Sequence, residues 1–473
     1  GALALLALLQ GLPAANGASL VLPTPAQLRY QSTDFVALIH FNMATFAHNA
    51  DPGCDEGNWN VQAPYAAGKT SDPATFNPAK LNTTQWMESV VALGANIAVL
   101  TAKHGCGFAL WPTKAELPDG SPYGYSVGAP GAAIQYDVLQ RFVDAAREAG
   151  VGHGFYYSIM KNFYLCRGFS GANSCMRKVL EGQRNLTDDE YKKVAVQQAT
   201  ELWTQYGDLA EVWVDSGLGG LGPLMDKLQP QAAGTPRNRF AWCGTESGHP
   251  SKDVRPGDVW SLGPGGGYLG NPNGTTWIPR FCDPQLFQEH VWFWEPGLQV
   301  RTLEMMIPIY HDIVGRGMVM ELAFAINRDG LVDEGHAAVY RQLGEWVRGC
   351  YGSPLASTSG VGSAFVLTLR AGQSFDRLQL QEDLVMGQRV RNYTLERSAA
   401  DGSWTPLAGG GAIGMKRIHL LPEAIRVVGA DMQVRLRVQD AVAPPALKLF
   451  GAFAPCGSGG PGERAGAGGP GAP

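Results

Sequence analysis

Two acidic residues follow short apolar runs, and this placement indicates acid–base chemistry on one substrate. Val212-Trp-Val214 leads directly into Asp215, and Phe240-Ala-Trp-Cys243 leads through a short turn into Glu246. A carboxylate is costly within an apolar strand unless it is paired, but the C-terminal end of a barrel strand is where active sites are built. Two such carboxylates are the minimum needed to hydrolyse a glycosidic bond. Taken alone, Asp215 is equally consistent with a helix N-cap or a satisfied buried aspartate.

Further polar residues end other apolar runs, and we expect them to meet Asp215 and Glu246 in one pocket. They are His40, Lys103 with His104, and Tyr157 after Tyr156. Each also has a purely structural interpretation, as a core histidine, a solvated lysine or a packed tyrosine ring. Their joint position at one end of successive strands favours a site, because these ends converge in a barrel.

The elements that position these residues form a repeating pattern between about residues 30 and 345. Short apolar runs alternate with amphipathic helical spacing, which predicts a (β/α)8-like TIM barrel over 25–350. Its later strands are expected near 240–246, 258–262, 290–294 and 317–325, with irregular structure between 216 and 300. After Gly352-Ser-Pro354 the apolar residues recur with a period of two, which predicts an antiparallel β-sandwich over 355–455.

The ends of the chain and its cysteines favour a secreted protein. Residues 1–19 have the apolar run and small residues of a signal peptide truncated at its start, and 457–473 are predicted to be a disordered tail. Sequons at Asn82, Asn185, Asn273 and Asn392 fit extracellular or vacuolar localisation. Eight cysteines permit up to four disulfides, and Cys166 with Cys175 is the first candidate pair.

The overall composition argues against several other classes of protein. A net charge of −5 without a basic cluster gives no sign of a nucleic-acid partner. No segment after the leader is long and apolar enough to predict a membrane span. The cysteine spacing does not resemble a zinc site.

Several motifs together resemble the alpha-L-fucosidases of glycoside hydrolase family 29, in its plant-type, α-1,3/1,4-like branch. The matching segments follow the family's order and are His40 to Phe46, Leu100 to Phe108 with Trp111-Pro112, Gly154 to Ser158, Glu211 to Asp215, Leu322 to Leu331 and Phe375 to Asp383 with Gly387 to Arg391. The resemblance covers roughly residues 30–455 and implies a barrel followed by a β-sandwich.

The resemblance implies a role for each candidate site residue. Asp215 is the expected nucleophile and Glu246 the expected acid/base. The sequence itself offers Glu289 and Glu295 as rivals for the second role, because both lie near the apolar run Val291 to Trp294 and could also reach a barrel mouth. The expected sugar-binding residues are His40, Trp59, Lys103, His104, Trp111 and Tyr157. No metal or organic cofactor is expected.

One segment departs from the family pattern. Lys103-His104 is followed by Gly105-Cys106, where many members have a second histidine, so one sugar-binding imidazole is absent or replaced.

The function that the sequence predicts is hydrolysis of terminal α-linked L-fucose from glycans, through a covalent intermediate and with retention of configuration. Two alternatives remain open at this stage. One is a different exo-glycosidase on the same barrel, and the other is a non-catalytic carbohydrate-binding protein.

Overall fold

The structure, a computed structural model, describes most of the chain. The described residues are 20–47, 70–159, 161–166, 179, 181–215, 220–248 and 258–456. The segments 1–19 and 457–473, for which a signal peptide and a disordered tail are predicted, lie outside them, as do Trp59 and Cys175.

Parallel strands form the sheet of the predicted barrel. In spatial order they are β4 (Glu211–Val214), β3 (Gly152–Tyr157), β2 (Ile97–Lys103), β1 (Phe35–His40), β9 (Val319–Ala325), β8 (Arg280–Cys282) and β5 (Ala241–Trp242). Every residue of β1, β2 and β9 is buried, which explains their continuous apolar sequences. Beyond β4 the described part of the chain continues the sheet through a single parallel bridge between Glu211 and Ala233. The fold class predicted from the sequence is confirmed, including the irregular region.

Helices connect the strands and cover the sheet. They are α1 (Pro25–Gln31), α2 (Ala44–Ala47), α3 (Thr83–Leu93), α4 (Val138–Glu148), α5 (Asp188–Leu202), α6 (Gly222–Leu228), α7 (Leu303–Ile313) and α8 (Glu334–Tyr351). In α4, the Asp137 side chain caps the first turn by accepting a hydrogen bond from the Gln140 N–H at 3.0 Å. Val138, Phe142 and Val143 on the same helix are fully buried, as their spacing predicts. Within the described ranges, no helix combines the length and apolarity needed to cross a membrane.

Two of the predicted barrel strands are wrong. The segment near 258–262 contributes to a separate antiparallel pair, β6 (Leu262–Gly263) with β7 (Thr276–Trp277). The run near 290–294 forms no strand, and the barrel strand in this part of the chain is β8. These strands are only two or three residues long, which is too short for an apolar pattern to reveal.

A sandwich of two antiparallel sheets follows the barrel, as predicted. One sheet has the order β10 (Ala356–Val361), β17 (Ala446–Phe453), β12 (Ser374–Glu382), β15 (Arg417–Arg426), and the other has β11 (Ala364–Leu369), β16 (Met432–Ala441), β13 (Val390–Ser398), β14 (Trp404–Gly410). Val434 and Leu436 are buried between the sheets, whereas Arg437 faces outwards, as the period of two predicts. The sequence pattern missed β10 and β14, whose residues are mostly small, polar or exposed.

Polar contacts and a disulfide join the sandwich to the barrel. The Lys416 ammonium lies 2.5 Å from the Asp34 carboxylate, which also accepts a hydrogen bond from the Tyr310 hydroxyl at 2.9 Å. A disulfide links Cys350 at the end of α8 to Cys456 just after β17. The barrel is therefore held to the sandwich at more than one point.

A pair of glutamates is buried between the barrel strands. Glu211 on β4 and Glu321 on β9 are both inaccessible to solvent. Glu321 accepts hydrogen bonds from the Tyr30 hydroxyl and, at 2.9 Å, from the Trp213 indole N–H. Burial raises the pKa of Glu321 to about 7, and burial together with the charge of Glu321 raises the pKa of Glu211 well above its usual value.

This pair should make folding stability depend on pH. Glu321 in the folded protein keeps its proton up to about pH 7, whereas Glu321 in the unfolded chain releases its proton near pH 4.5. Because the folded state binds the proton more tightly, the free energy of unfolding should fall as pH rises from about 4.5 to about 7. In Glu321→Gln, which keeps a hydrogen-bond acceptor, the loss of unfolding free energy over this window should be smaller by about 1–3 kcal/mol. Denaturant unfolding at a series of pH values measures this.

The matched control for that measurement is Glu88→Gln, since Glu88 is exposed on α3. Its pH dependence should follow the wild type. The same pH dependence in Glu321→Gln as in the wild type would contradict the expected titration.

Candidate active site

A cavity of about 660 Å³ opens at the C-terminal ends of the barrel strands. It brings together four of the residues predicted from the sequence, which are His40, His104, Asp215 and Glu246. They come from the ends of four different strands, the first and last of them more than 200 residues apart in the sequence, so the barrel topology explains their convergence.

Asp215 lies directly after β4, where the strand pairing fixes its position. The Tyr156 hydroxyl on the neighbouring strand β3 donates a hydrogen bond to Asp215 Oδ2 at 3.0 Å. Behind it, the fully buried Lys103 ammonium interacts electrostatically with Asp215, while burial lowers the pKa of Lys103 to about 7. The aspartate is therefore supported by a hydroxyl donor and a nearby positive charge.

Glu246 lies on a turn after β5 that several contacts hold in place. Cys243, three residues earlier, forms a disulfide with Cys282 at the end of β8. The Glu246 carbonyl accepts a hydrogen bond from the Gln285 N–H at 3.1 Å. Gly244 has a φ of +89°, and a Cβ there would lie 2.7 Å from the Tyr268 ring, so both the conformation and the packing of this turn require glycine.

The environment of Glu246 favours its protonated form. Burial raises its pKa, and the nearby charge of Asp215 adds to this, while His290 and a hydrogen bond from Trp292 act in the opposite direction. The His290 imidazole lies 3.2 Å from Glu246 Oε2 at the solvent edge of the cavity. A carboxyl group with a raised pKa is suited to donate a proton.

Aromatic rings hold the two histidines of the cavity. His40 stacks on Trp292 with a centroid distance of 4.6 Å, and His104 stacks on Tyr156 at 5.0 Å. The Phe293 ring packs nearly perpendicular to both imidazoles, with centroid distances of 5.4 Å to His40 and 5.0 Å to His104. The rings orient the imidazoles, whose nitrogen atoms are suited to bind substrate hydroxyl groups.

Three of the predicted sugar-binding residues, Tyr157, Trp111 and Lys103, do not line the cavity. The Tyr157 hydroxyl donates to Gln198 on α5 at 2.9 Å, because successive side chains of a strand point in opposite directions. The Trp111 indole donates to Glu201 at 2.7 Å within the core. Lys103 donates to the main-chain carbonyls of Ser158 and Lys161 and is wholly buried behind Asp215.

Other cavity residues were not predicted from the sequence. They include Tyr156, Trp213, Trp242, Asp283 and Trp292. Tyr156 adjoins the predicted Tyr157, and one residue of register along β3 separates the side chain that lines the cavity from the one that faces α5. Asp283 follows β8, a strand too short to be recognised, so no pattern pointed to it.

The rival acid/base residues lie elsewhere. Glu289 is exposed and accepts a hydrogen bond from the Gln299 N–H, and neither it nor Glu295 lines the cavity. Cys166 is disulfide-bonded, but its predicted partner Cys175 lies outside the described residues. No cluster of metal-ligand side chains occurs in the part of the chain that the structure describes.

The cavity thus combines the Asp215 carboxylate, a second carboxyl group whose pKa is raised by burial, and two ordered imidazoles. Such a set can attack one carbon of a bound molecule, protonate the oxygen that leaves and hold neighbouring hydroxyl groups. This is the chemistry of glycoside hydrolysis.

Comparison with known proteins agrees with this chemistry. The sequence model of the alpha-L-fucosidase family matches residues 55–352. Alpha-L-fucosidase 1 of Arabidopsis thaliana is 27% identical over 92% of this chain and 88% of its own length. A candidate alpha-L-fucosidase from Bacteroides thetaiotaomicron has a TM-score of 0.77 at 27% identity, covering 92% of this chain and all of that one.

The fold recurs in a more distant structure, a Ruminococcus gnavus family 29 fucosidase in complex with fucose. It has a TM-score of 0.72 at 19% identity and covers 93% of this chain and 96% of its own. The family model matches well over half of the chain and ends where α8 ends. The chain therefore belongs to the alpha-L-fucosidases, glycoside hydrolase family 29, and is a glycoside hydrolase.

Proposed function

We propose that this protein is a retaining alpha-L-fucosidase that removes terminal α-linked L-fucose from glycans, with α-1,3 and α-1,4 linkages as preferred substrates. The observation that carries the proposal is that Asp215 and Glu246 line one cavity in different environments. Two carboxyl groups whose environments differ in this way can divide the roles of nucleophile and acid.

In the proposed first step, Asp215 attacks the anomeric carbon of fucose while Glu246 gives its proton to the departing glycosidic oxygen. The C–O bond to the aglycone breaks, and a bond between the sugar and Asp215 forms. In the second step, Glu246 takes a proton from water, which attacks the same carbon and releases Asp215. Inversion occurs twice, so the configuration is retained.

The surrounding residues have supporting roles in this proposal. Tyr156 stabilises the ionised form of Asp215, and His40 and His104 bind fucose hydroxyl groups in contacts that tighten in the transition state. Lys103 favours ionised Asp215 only while it is itself protonated, which its pKa of about 7 restricts to neutral and acidic pH.

We also propose that the protein is secreted or vacuolar and carries N-linked glycans. The disulfides Cys243–Cys282 and Cys350–Cys456 are suited to an oxidising compartment. The four sequon asparagines, Asn82, Asn185, Asn273 and Asn392, are all exposed.

The first test of the function replaces the nucleophile. Asp215→Ala should lower kcat on an aryl α-L-fucoside by about 10⁴-fold or more, because the covalent path is lost. Added azide should restore turnover and give β-fucosyl azide, since attack then occurs once.

A panel of nitrophenyl glycosides tests the sugar in the same assay, and wild-type activity on another sugar but not on fucose would reject the proposal.

The matched control is Asp208→Ala, because Asp208 is exposed just before β4, at the opposite end of the barrel. Its activity should stay within about twofold of the wild type. Near-normal kcat in a folded Asp215→Ala protein would show that the nucleophile is a different residue.

Adjacent tyrosines on β3 allow a second test. Tyr156→Phe removes the hydroxyl that donates to Asp215 and should lower kcat by about 10- to 100-fold. Tyr157→Phe removes only the hydrogen bond to Gln198 behind the sheet and should leave kcat nearly unchanged. Steady-state kinetics of the two variants measure the difference, and equal losses would argue that the strand rather than the hydroxyl matters.

A third test separates the acid/base from the nucleophile. Glu246→Ala should cripple hydrolysis of fucosylated oligosaccharides, which need a proton on the leaving oxygen, and affect the first step with α-fucosyl fluoride much less. Covalent intermediate should then accumulate, which intact mass spectrometry can detect.

In the wild type, activity should fall as pH rises through the elevated pKa of Glu246, and this basic limb should flatten in the variant. If good and poor leaving groups slow equally, Glu246 is not the acid.

A further inference from the structure

Two exposed aromatic side chains meet beside Glu246. Trp242 is 38% exposed and Tyr268 is 43% exposed, and within the described ranges they are the only Trp, Tyr or Phe residues on the exposed surface. Their rings pack edge to face with a centroid distance of 6.1 Å. We call this pair the aromatic corner.

The aromatic corner is held rigidly. The Trp242 indole N–H donates to Asp283 Oδ1 at 2.6 Å, and Asp283 is itself 95% buried. The Tyr268 ring packs directly on Gly244, where even a methyl group would clash. An apolar ring fixed in an exposed position loses little conformational entropy when a ligand stacks on it.

The position of the corner indicates which part of a substrate it faces. Trp242 and Glu246 both line the cavity, and Tyr268 packs on Gly244, which lies between them in the sequence. An acid catalyst must contact the glycosidic oxygen, and the group beyond that oxygen is the aglycone. A surface beside Glu246 and open to solvent is therefore next to the aglycone.

We infer that the aromatic corner is a binding site for the pyranose ring that carries the fucose, a hexose or N-acetylhexosamine of a glycan. The inference rests on the proposed function and adds the residues that recognise the leaving group. One face of a pyranose presents C–H groups that pack on an aromatic ring, while its hydroxyl groups remain available to polar neighbours such as His290. An aglycone without a ring, such as a serine or threonine side chain, gains none of this contact.

Three substrates separate binding of the aglycone ring from acid catalysis and from binding of fucose. α-Fucosyl fluoride needs neither an acid nor a stacking partner, methyl α-L-fucoside needs the acid but has no ring, and fucosyl-N-acetylglucosamine needs the acid and offers a ring. The ratio of kcat/KM for the disaccharide to kcat/KM for the methyl fucoside is compared between variant and wild type, because this comparison cancels the different acidities of the two leaving groups and reports recognition of the ring. The α-1,3 or α-1,4 isomer is used, whichever the wild type cleaves faster.

Tyr268→Leu and Trp242→Leu should each lower this ratio by about tenfold or more, as truncation of a central aromatic contact does. The matched control is Trp404→Leu, an aromatic residue on the sandwich that stacks with Arg435 and lies outside the site. It should leave the ratio within about twofold of the wild type. Thermal unfolding of each variant confirms that it is folded.

The other possible outcomes contradict either the inference or the proposed function. If the ratio is unchanged, the aromatic corner does not bind the aglycone. If methyl fucoside slows as much as the disaccharide while the fluoride does not, the corner only positions the Glu246 turn, and the inference is overturned. If the wild type cleaves none of the three substrates, the proposed function itself fails. Activity on the fluoride and methyl fucoside without any on the disaccharide overturns the inference alone.

Discussion

The site depends on one recurring interaction, a tryptophan indole N–H that donates to a carboxyl group in or beneath the cavity. The pairs are Trp213 with Glu321, Trp242 with Asp283 and Trp292 with Glu246. A buried carboxyl group needs a donor, but a cation would also fix it in the ionised state. A neutral indole satisfies the oxygen and leaves the pKa free to rise with burial, as it does for all three acids.

Charged partners are used where the acid must stay ionised. At the barrel–sandwich contact, Asp34 pairs with Lys416, an arrangement whose role is structural. In the cavity, the buried ammonium of Lys103 lies within electrostatic range of Asp215, the proposed nucleophile. The imidazole beside Glu246 is His290, whose side chain is more than half exposed, so solvent weakens its electrostatic influence. The distribution of donors thus matches the protonation states that retaining hydrolysis requires.

The sequence was sufficient to predict the barrel, the sandwich and the convergence of His40, His104, Asp215 and Glu246, because long apolar runs mark strands and their ends mark the site. It could not decide between Tyr156 and Tyr157, since one residue of register separates the cavity face from the helix face. Trp111 and Lys103 matched family motifs, but their polar atoms are satisfied inside the protein. Asp283 follows a three-residue strand, and its place beside Glu246 depends on long-range pairing that no local pattern encodes.

The two proposed catalytic carboxyl groups have different supports. Asp215 follows a strand that pairs in regular parallel register with β3, which suits a nucleophile that must meet one carbon of an unvarying sugar. Glu246 lies on an irregular turn held by a disulfide, a glycine at positive φ and single hydrogen bonds, beyond a strand that pairs over two residues. Changes in this segment can reshape the surroundings of the leaving group without disturbing the sheet that fixes Asp215. In the proposed mechanism we therefore assign contacts with the aglycone to the chain between β4 and α7, where the aromatic corner lies, and the nucleophile to the regular half of the barrel.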